Sequence, residues 1–246
     1  MITSESFGIM HDGTEVTLYR VTNRQGAYVE LLDYGCTVRA IVVPDRDGKM
    51  TDVCLGYDTI REYEENDGCL GAVVGRHANR IAKGQFKIGE KTYQVVCNNG
   101  PNHLHGGTRG FDKYVWKAEP SENAVRFSRL SPDGEEGYPG SLQVSVTYRW
   151  NDRNELQLQY GAVSDRDTVL NLTNHTYFNL AGGGTALNHV LQVNADRYIP
   201  CDSDGLAVGP VSEVTPVMDF RTPKPIGRDI GKKDPDLLCG TGYDHN

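Results

Sequence analysis

Nowhere in the 246 residues is there an uninterrupted apolar run of about 18, the length a helix needs to cross a bilayer. The opening stretch, MITSESFGIMHDGTEVTLYR, has neither the charged n-region nor the apolar h-region of a secretory signal, so the expectation is a cytoplasmic protein. Basic charge is also scarce: 25 Lys and Arg against 33 Asp and Glu give a net charge of −8. That balance offers no basic face for neutralising phosphates, which argues against nucleic-acid and anionic-membrane partners and favours a small neutral ligand. The six cysteines, Cys36, Cys54, Cys69, Cys97, Cys201 and Cys239, form no CxxC pair and sit singly among apolar or strand-like residues. They read as buried reduced thiols, and they give no support to a zinc site. No amphipathic helix of ordinary length is visible, and no repeat of roughly 20 to 50 residues, which counts against a solenoid or propeller.

What the sequence does contain is short, strand-like segments. Leu142, Val144, Val146, Tyr148 and Trp150 alternate with Gln143, Ser145, Thr147 and Arg149, the period of a half-buried strand. Asn151 to Asn154 supply turn residues, and Leu156, Leu158 and Tyr160 resume the alternation, which makes a β-hairpin. Similar segments are Thr14 to Val21, Ala27 to Asp33, Thr37 to Val43, Gln85 to Val96 with a turn near Gly89, and Ala124 to Leu130. The best helical signal is Thr59 to Glu65, with Thr59 as a cap. Many short strands, 28 glycines that punctuate them and almost no helix predict an all-β fold, a large antiparallel β-sandwich or a barrel. Residues 205 to 240 carry five prolines and read as one long irregular excursion.

Three segments are denser in polar groups than a scaffold requires. Gly75-Arg76-His77-Ala78-Asn79-Arg80 follows an apolar Ala72-Val73-Val74, and an arginine with an amide at a strand end makes a fork of donors for sugar hydroxyls. The plainer alternative is a strand end whose arginines face solvent or pair with acids. In Asn98 to Gly107, paired glycines let the backbone approach a ligand and two imidazoles, His103 and His105, share a face if the chain is extended. Such an HxH pair starts a metal site in cupin-type barrels, but no third and fourth ligand follow in that arrangement; a structural histidine is the other alternative. Asn171 to Leu180 surrounds His175 with hydroxyls, amides and aromatics, which suits a pyranose with one apolar side and a ring of hydroxyls. A core strand with one hydrogen-bonded histidine fits the same residues.

Taken in order, GRHANRIAKGQF, NNGPNHLHGGTRGFDKYVW, SPDGEEGYPG, NLTNHTYFNLAG and GYDHN resemble the aldose 1-epimerase (galactose mutarotase) family over essentially the whole chain. The resemblance implies a large β-sandwich, often called a supersandwich, as a single domain over residues 1–246 with an open sugar cleft. It also implies interconversion of the α and β anomers of hexoses such as galactose and glucose, without cofactor or metal. In that reaction a base takes the anomeric hydroxyl proton while an acid protonates the ring oxygen; the ring opens, the aldehyde rotates, and the roles reverse. By resemblance, His175 is the general acid and His105 a second catalytic imidazole that hydrogen-bonds the sugar beside it. Asn79 and Arg80 match the substrate-binding pair, Asp244 the hydroxyl-binding carboxylate, and Tyr177 shapes the pocket next to His175.

The family's general base is a glutamate on a segment beyond the GYDHN block, and the sequence stops at Asn246. The expectation is therefore a C-terminally incomplete domain without that base and without the strands that close the sandwich, leaving sheet edges open. Glu213 and Asp219 belong to other blocks and do not inherit the role. Two competing expectations are a non-catalytic sugar-binding protein of the same fold and a metal-dependent, cupin-like enzyme built on His103 and His105.

Overall fold

The structure is a computed structural model that describes residues 1–66, 68–239 and 242–243, and it divides into two compact units, Met1–Gly182 and Gly183–Asn246. In the first unit, an antiparallel sheet runs in the order β1 (Ile2–Ile9), β2 (Glu15–Thr22), β3 (Tyr28–Leu32), β4 (Thr37–Pro44) and β5 (Met50–Asp52). A short helix, α1 (Ile60–Glu65), follows. Two ribbons come next: β6 (Arg80–Ile81) pairs with β9 (His103–Leu104), and β7 (Gln85–Ile88) with β8 (Lys91–Gln94). The second large sheet is β10 (Lys117–Ser121), β11 (Ala124–Ser131), β12 (Leu142–Trp150) and β13 (Leu156–Ser164), antiparallel in chain order.

The two large sheets face each other across one core. From the first come Val21, Val29, Leu31, Val38 and Ile41; from the second come Val125, Phe127, Val144, Val146, Tyr148 and Trp150. Cross-strand register builds the layer, with Val29 opposite Val21 and Ile41, and Val146 opposite Phe127 and Tyr160. Each fully buried side chain of this kind contributes about 1.5–3 kcal/mol by leaving water. Two polar tips lock the sheets together: the Trp150 indole N–H donates to the Ala27 carbonyl at 3.0 Å, and the Tyr148 hydroxyl to the Cys36 carbonyl at 2.7 Å.

Alternation along β2 sends Val16 and Leu18 to the opposite face, where they pack with Leu32, Tyr34, Ile60 and Tyr63 under α1. Because β3 is covered on both sides, its single charge, Glu30, is buried and takes two guanidinium partners, Arg20 and Arg39. The helix begins as the sequence indicates. Thr59 accepts from the Glu62 N–H while the Glu62 carboxylate accepts from the Thr59 N–H, a reciprocal cap.

The all-β sandwich expected from the sequence is the observed fold, and the hairpin at Leu142–Trp150 and Leu156–Ser164 has the anticipated register. Strands β1, β5 and β10 carry too little apolar alternation to have been anticipated; they are edge or near-edge strands held by backbone ladders. The cysteine expectation needs correction. None of the six is joined in a disulfide, but only Cys36 is buried; Cys97 is exposed and the other four are partly exposed. No helix among the described residues is long and apolar enough to cross a membrane.

The second unit is built from two short antiparallel pairs. Strand β14 (Val190–Leu191) pairs with β17 (Lys224–Pro225), and β15 (Arg197–Tyr198) with β16 (Ser212–Glu213). A terminal helix, α2 (Pro235–Cys239), follows. The excursion, described as far as residue 239, is thus mostly irregular, as its prolines suggest.

Candidate active site

The site grows from two chain segments that leave the core side by side. Residues 71–77 emerge from beneath the first sheet, where Val73 N–H donates to the Gly35 carbonyl at 2.8 Å. Residues 171–178 run along them through isolated bridges at Val73 with Asn174 and His77 with Asn171. Two backbone bonds then fix His175: its N–H donates to the Ala72 carbonyl at 2.8 Å, and its carbonyl accepts from Gly71 at 3.0 Å. Asn174 supports this placement from behind, its amide donating to the Gly71 carbonyl at 2.6 Å and to the Tyr148 hydroxyl at 3.2 Å. Tyr177 is held by its carbonyl, which accepts from Leu55 at 2.9 Å.

His105 arrives from the other direction, at the end of β9. Gly75 and Gly106 let the two loops meet backbone to backbone: a Cβ on Gly75 would lie 2.4 Å from the His105 carbonyl oxygen and 2.6 Å from the Gly106 Cα. His105 and Asn79 both adopt left-handed backbone, with φ of 53° and 62°. As a result the His105 and His175 rings meet edge to face, centroids 5.2 Å apart at 86°, and Tyr177 leans on His175 at 4.9 Å.

Hydrogen bonding fixes the chemical state of His105. Its Nδ1 accepts from the Asn79 backbone N–H at 3.0 Å, so in the neutral ring the proton resides on Nε2. Burial lowers its pKa to about 4, helped by the positive charge that His175 and Arg80 present to it. Arg80 is aimed by amides: its Nε donates to the Asn99 side chain at 3.0 Å, and its backbone N–H to the Asn79 side chain at 2.6 Å. Beside His105 lies a cleft of about 290 Å³ whose wall includes Asn98, Thr108, Asp112, Lys113 and Cys69. Burial pushes the Asp112 carboxyl up to about 6, against the pull of the neighbouring Lys113 ammonium.

Two polar residues of the dense segments serve the scaffold instead. Arg76 is 1% exposed, and its guanidinium donates to Ser131 Oγ and to the carbonyls of Ser131, Pro132, Pro139 and Gly140 at 2.7–3.1 Å. His103 is fully buried, Nδ1 on the Val96 carbonyl and Nε2 on the Tyr138 hydroxyl, each at 2.6 Å. The left-handed turn at His105 breaks the extended geometry that would put the two imidazoles on one face. With both ring nitrogens of His103 engaged, the HxH pair has no shared metal position. Among the described residues no cluster of three or more metal-ligating side chains occurs.

Comparison with known proteins agrees with this geometry. The family model for aldose 1-epimerase matches residues 17–246. The chain belongs to the aldose 1-epimerase family. It is 42% identical to galactose mutarotase of Sus scrofa over 252 residues, covering all of this chain and 71% of that protein. To galactose mutarotase of Homo sapiens it is 46% identical over 222 residues, covering 89% of this chain and 63% of that protein. The solved galactose 1-epimerase of Lactobacillus acidophilus NCFM superposes with a TM-score of 0.88 at 33% identity, over 98% of this chain and 72% of that one. The chain thus spans about two thirds of the length of these relatives.

Of the residues that the family resemblance singles out, His175, His105, Asn79, Arg80 and Tyr177 all lie in the first unit. His105 adjoins His175 and Asn79, and Arg80 is bonded to Asn79. Asp244 lies outside the described residues. Sequence reasoning missed the positioning groups: Asn99, which aims Arg80, and Asn98, whose side chain bonds Leu104 and Gly107 and shapes the turn under His105. The Asn98-Asn99 pair was the available signal, since adjacent amides next to a Gly-Pro turn commonly tie loops down.

Proposed function

We propose that the site performs mutarotation, the interconversion of α and β anomers of an aldohexose such as galactose or glucose. The observation that carries this reading is the edge-to-face contact of His105 and His175, two imidazoles held at one point by backbone bonds from separate loops. Ring opening requires a proton at the ring oxygen as the anomeric hydroxyl loses its own. His175 supplies it. His105, neutral well into the acid range and protonated on Nε2, donates a hydrogen bond to the sugar without changing charge. Asn79 and Arg80 bind ring hydroxyls and Tyr177 offers an apolar edge; Asp244, outside the described residues, is assigned a hydroxyl by the family resemblance alone.

Proton transfers alone accomplish this chemistry, so the reading includes no cofactor and no metal. The family model spans both compact units, which supports treating residues 1–246 as parts of one domain. Six cysteines with no disulfide among them and a net charge of −8 suit a cytoplasmic protein whose partner is the sugar, with no nucleic acid and no membrane.

Polarimetry on freshly dissolved α-D-galactose in weak neutral buffer tests the reading, with the 246-residue chain and its His175→Ala variant compared. Accelerated rotation change that vanishes in the variant is the expected result. Folded protein that binds galactose calorimetrically but gives no acceleration would instead make this chain a sugar-binding protein.

A further inference from the structure

Within the second unit, two thiols are brought together that belong to no part of the sugar chemistry. The Cys201 and Cys239 sulfurs are 2.7 Å apart, and both residues are partly exposed. They are 38 positions apart in sequence, so only the fold places them in contact.

Each sulfur is fixed by its own local framework. Cys201 bridges to Ala207 across a tight turn, where the Asp202 side chain accepts from the N–H groups of Asp204 and Leu206 at 2.9 and 3.0 Å. Cys239 ends α2, its thiol donating to the Asp236 carbonyl at 3.3 Å. The helix is tied back to the chain after β16, because Thr215 Oγ1 donates to the Asp236 carboxylate at 2.7 Å. The turn at 202–206 and the Thr215–Asp236 bond do not involve the sulfurs, and closure gives up only the Cys239 thiol's bond to the Asp236 carbonyl. A covalent bond of about 2.05 Å therefore needs only a short closing movement of two side chains.

We propose that Cys201 and Cys239 are a modification site, a vicinal dithiol that closes reversibly to a disulfide when a hydroperoxide reaches it. One thiolate attacks the peroxide oxygen, the O–O bond breaks, and water or an alcohol leaves as the sulfur becomes a sulfenic acid. The second thiolate attacks that sulfur, expels hydroxide and forms the S–S bond. Overall the dithiol loses two electrons and two protons, and these reduce the hydroperoxide to water, or to an alcohol and water. Burial raises the Cys201 thiol to about 12, with Cys239 the next cause, so Cys201 is a slow attacking thiolate at neutral pH and a faster one in alkali. Closure staples α2 to the turn at 201–207 and encloses β16 and β17 in one covalent loop. The inference is independent of the mutarotase reading.

The test treats the whole purified chain with hydrogen peroxide, alkylates remaining thiols, and maps peptides by mass spectrometry with and without a reductant. The expected product is a peptide pair joining Cys201 to Cys239, lighter by about 2 Da than the sum of its thiols and released by reductant. Cys201→Ser should abolish it, whereas Cys97→Ser, which changes the exposed thiol, should leave it intact. Wild-type protein in which both cysteines stay fully alkylatable, or in which either joins a different cysteine, overturns the proposal. That readout requires no variant to fold.

Discussion

Asn79 and His105 bond each other twice: the Asn79 N–H donates to His105 Nδ1 at 3.0 Å, and the His105 N–H donates to the Asn79 carbonyl at 3.2 Å. Both residues take left-handed backbone to make the exchange. The result is an imidazole with a fixed ring orientation and a fixed tautomer, next to a second imidazole that presents its ring at a right angle. A hydrogen-bonding amide N–H is a strong constraint, because a proton on Nδ1 would confront a donor with a donor.

His105 should accordingly resist protonation. In the unfolded chain its ring titrates near 6.5, in the fold near 4. Between those values the unfolded state binds the extra proton, so the stability that His105 contributes is fully present above about 6.5 and is lost as pH falls toward 4. Burial lowers His77 and His103 as well, which steepens the same acid limb. Nitrogen-detected NMR of the imidazoles should show His105 as the neutral Nε2–H tautomer down to about pH 5. An imidazolium signal for His105 at pH 6 would contradict the burial argument.

His175→Ala should lower the mutarotation rate by about 10² to 10⁴, the usual contribution of a positioned general acid. It should also move a second observable. His175 is the second cause of the depressed His105 pKa, so its removal should raise the His105 titration midpoint. A variant with lost activity and an unchanged His105 midpoint would mean that the two rings do not feel each other's charge.

The sandwich was legible because β12 and β13 alternate cleanly, Leu142 to Trp150 facing the core and their neighbours facing out. Strands such as Lys117–Ser121 were not, since an edge strand needs only a backbone ladder and leaves a weak apolar pattern. In the site, the family blocks picked out His105, His175, Asn79 and Arg80, yet local chemistry alone did not separate Arg76 from Arg80 or His103 from His105. Each pair occupies nearly the same segment. What divides them is which way a left-handed turn sends the chain, at Asn79 in one case and at His105 in the other, and neither residue is a glycine that would have advertised the turn.

The two arginines of the Gly75–Arg80 segment should part company under substitution. Arg76→Met strips donors from four carbonyls, those of Ser131, Pro139 and Gly140 buried, so urea unfolding should show a loss of more than about 2 kcal/mol. Arg80→Ala breaks the bond to Asn99 on a partly exposed side chain and should cost under about 1 kcal/mol in the same experiment. Its effect belongs in KM for the sugar, a rise of about 10- to 100-fold for the loss of a charged donor. Equal stability losses would remove the distinction between scaffold and ligand arginines.

Gly75→Ala probes the approach of the two loops without touching either imidazole. Its Cβ would meet the His105 carbonyl at 2.4 Å and the Gly106 Cα at 2.6 Å, both main-chain atoms that cannot rotate away. Because the φ of Gly106 is 89°, the turn opposite has little freedom to retreat without losing its own conformation. The His105 backbone must therefore move, and the Asn79 bond to its ring must lengthen. Circular dichroism should find the sheets intact, while the His105 ring loses its fixed tautomer in the NMR spectrum and kcat/KM falls by at least about tenfold, as misplacement of a catalytic group by a fraction of an ångström to an ångström does. An active Gly75→Ala variant with an unaltered His105 signal would show that the close backbone approach does not set the imidazole geometry.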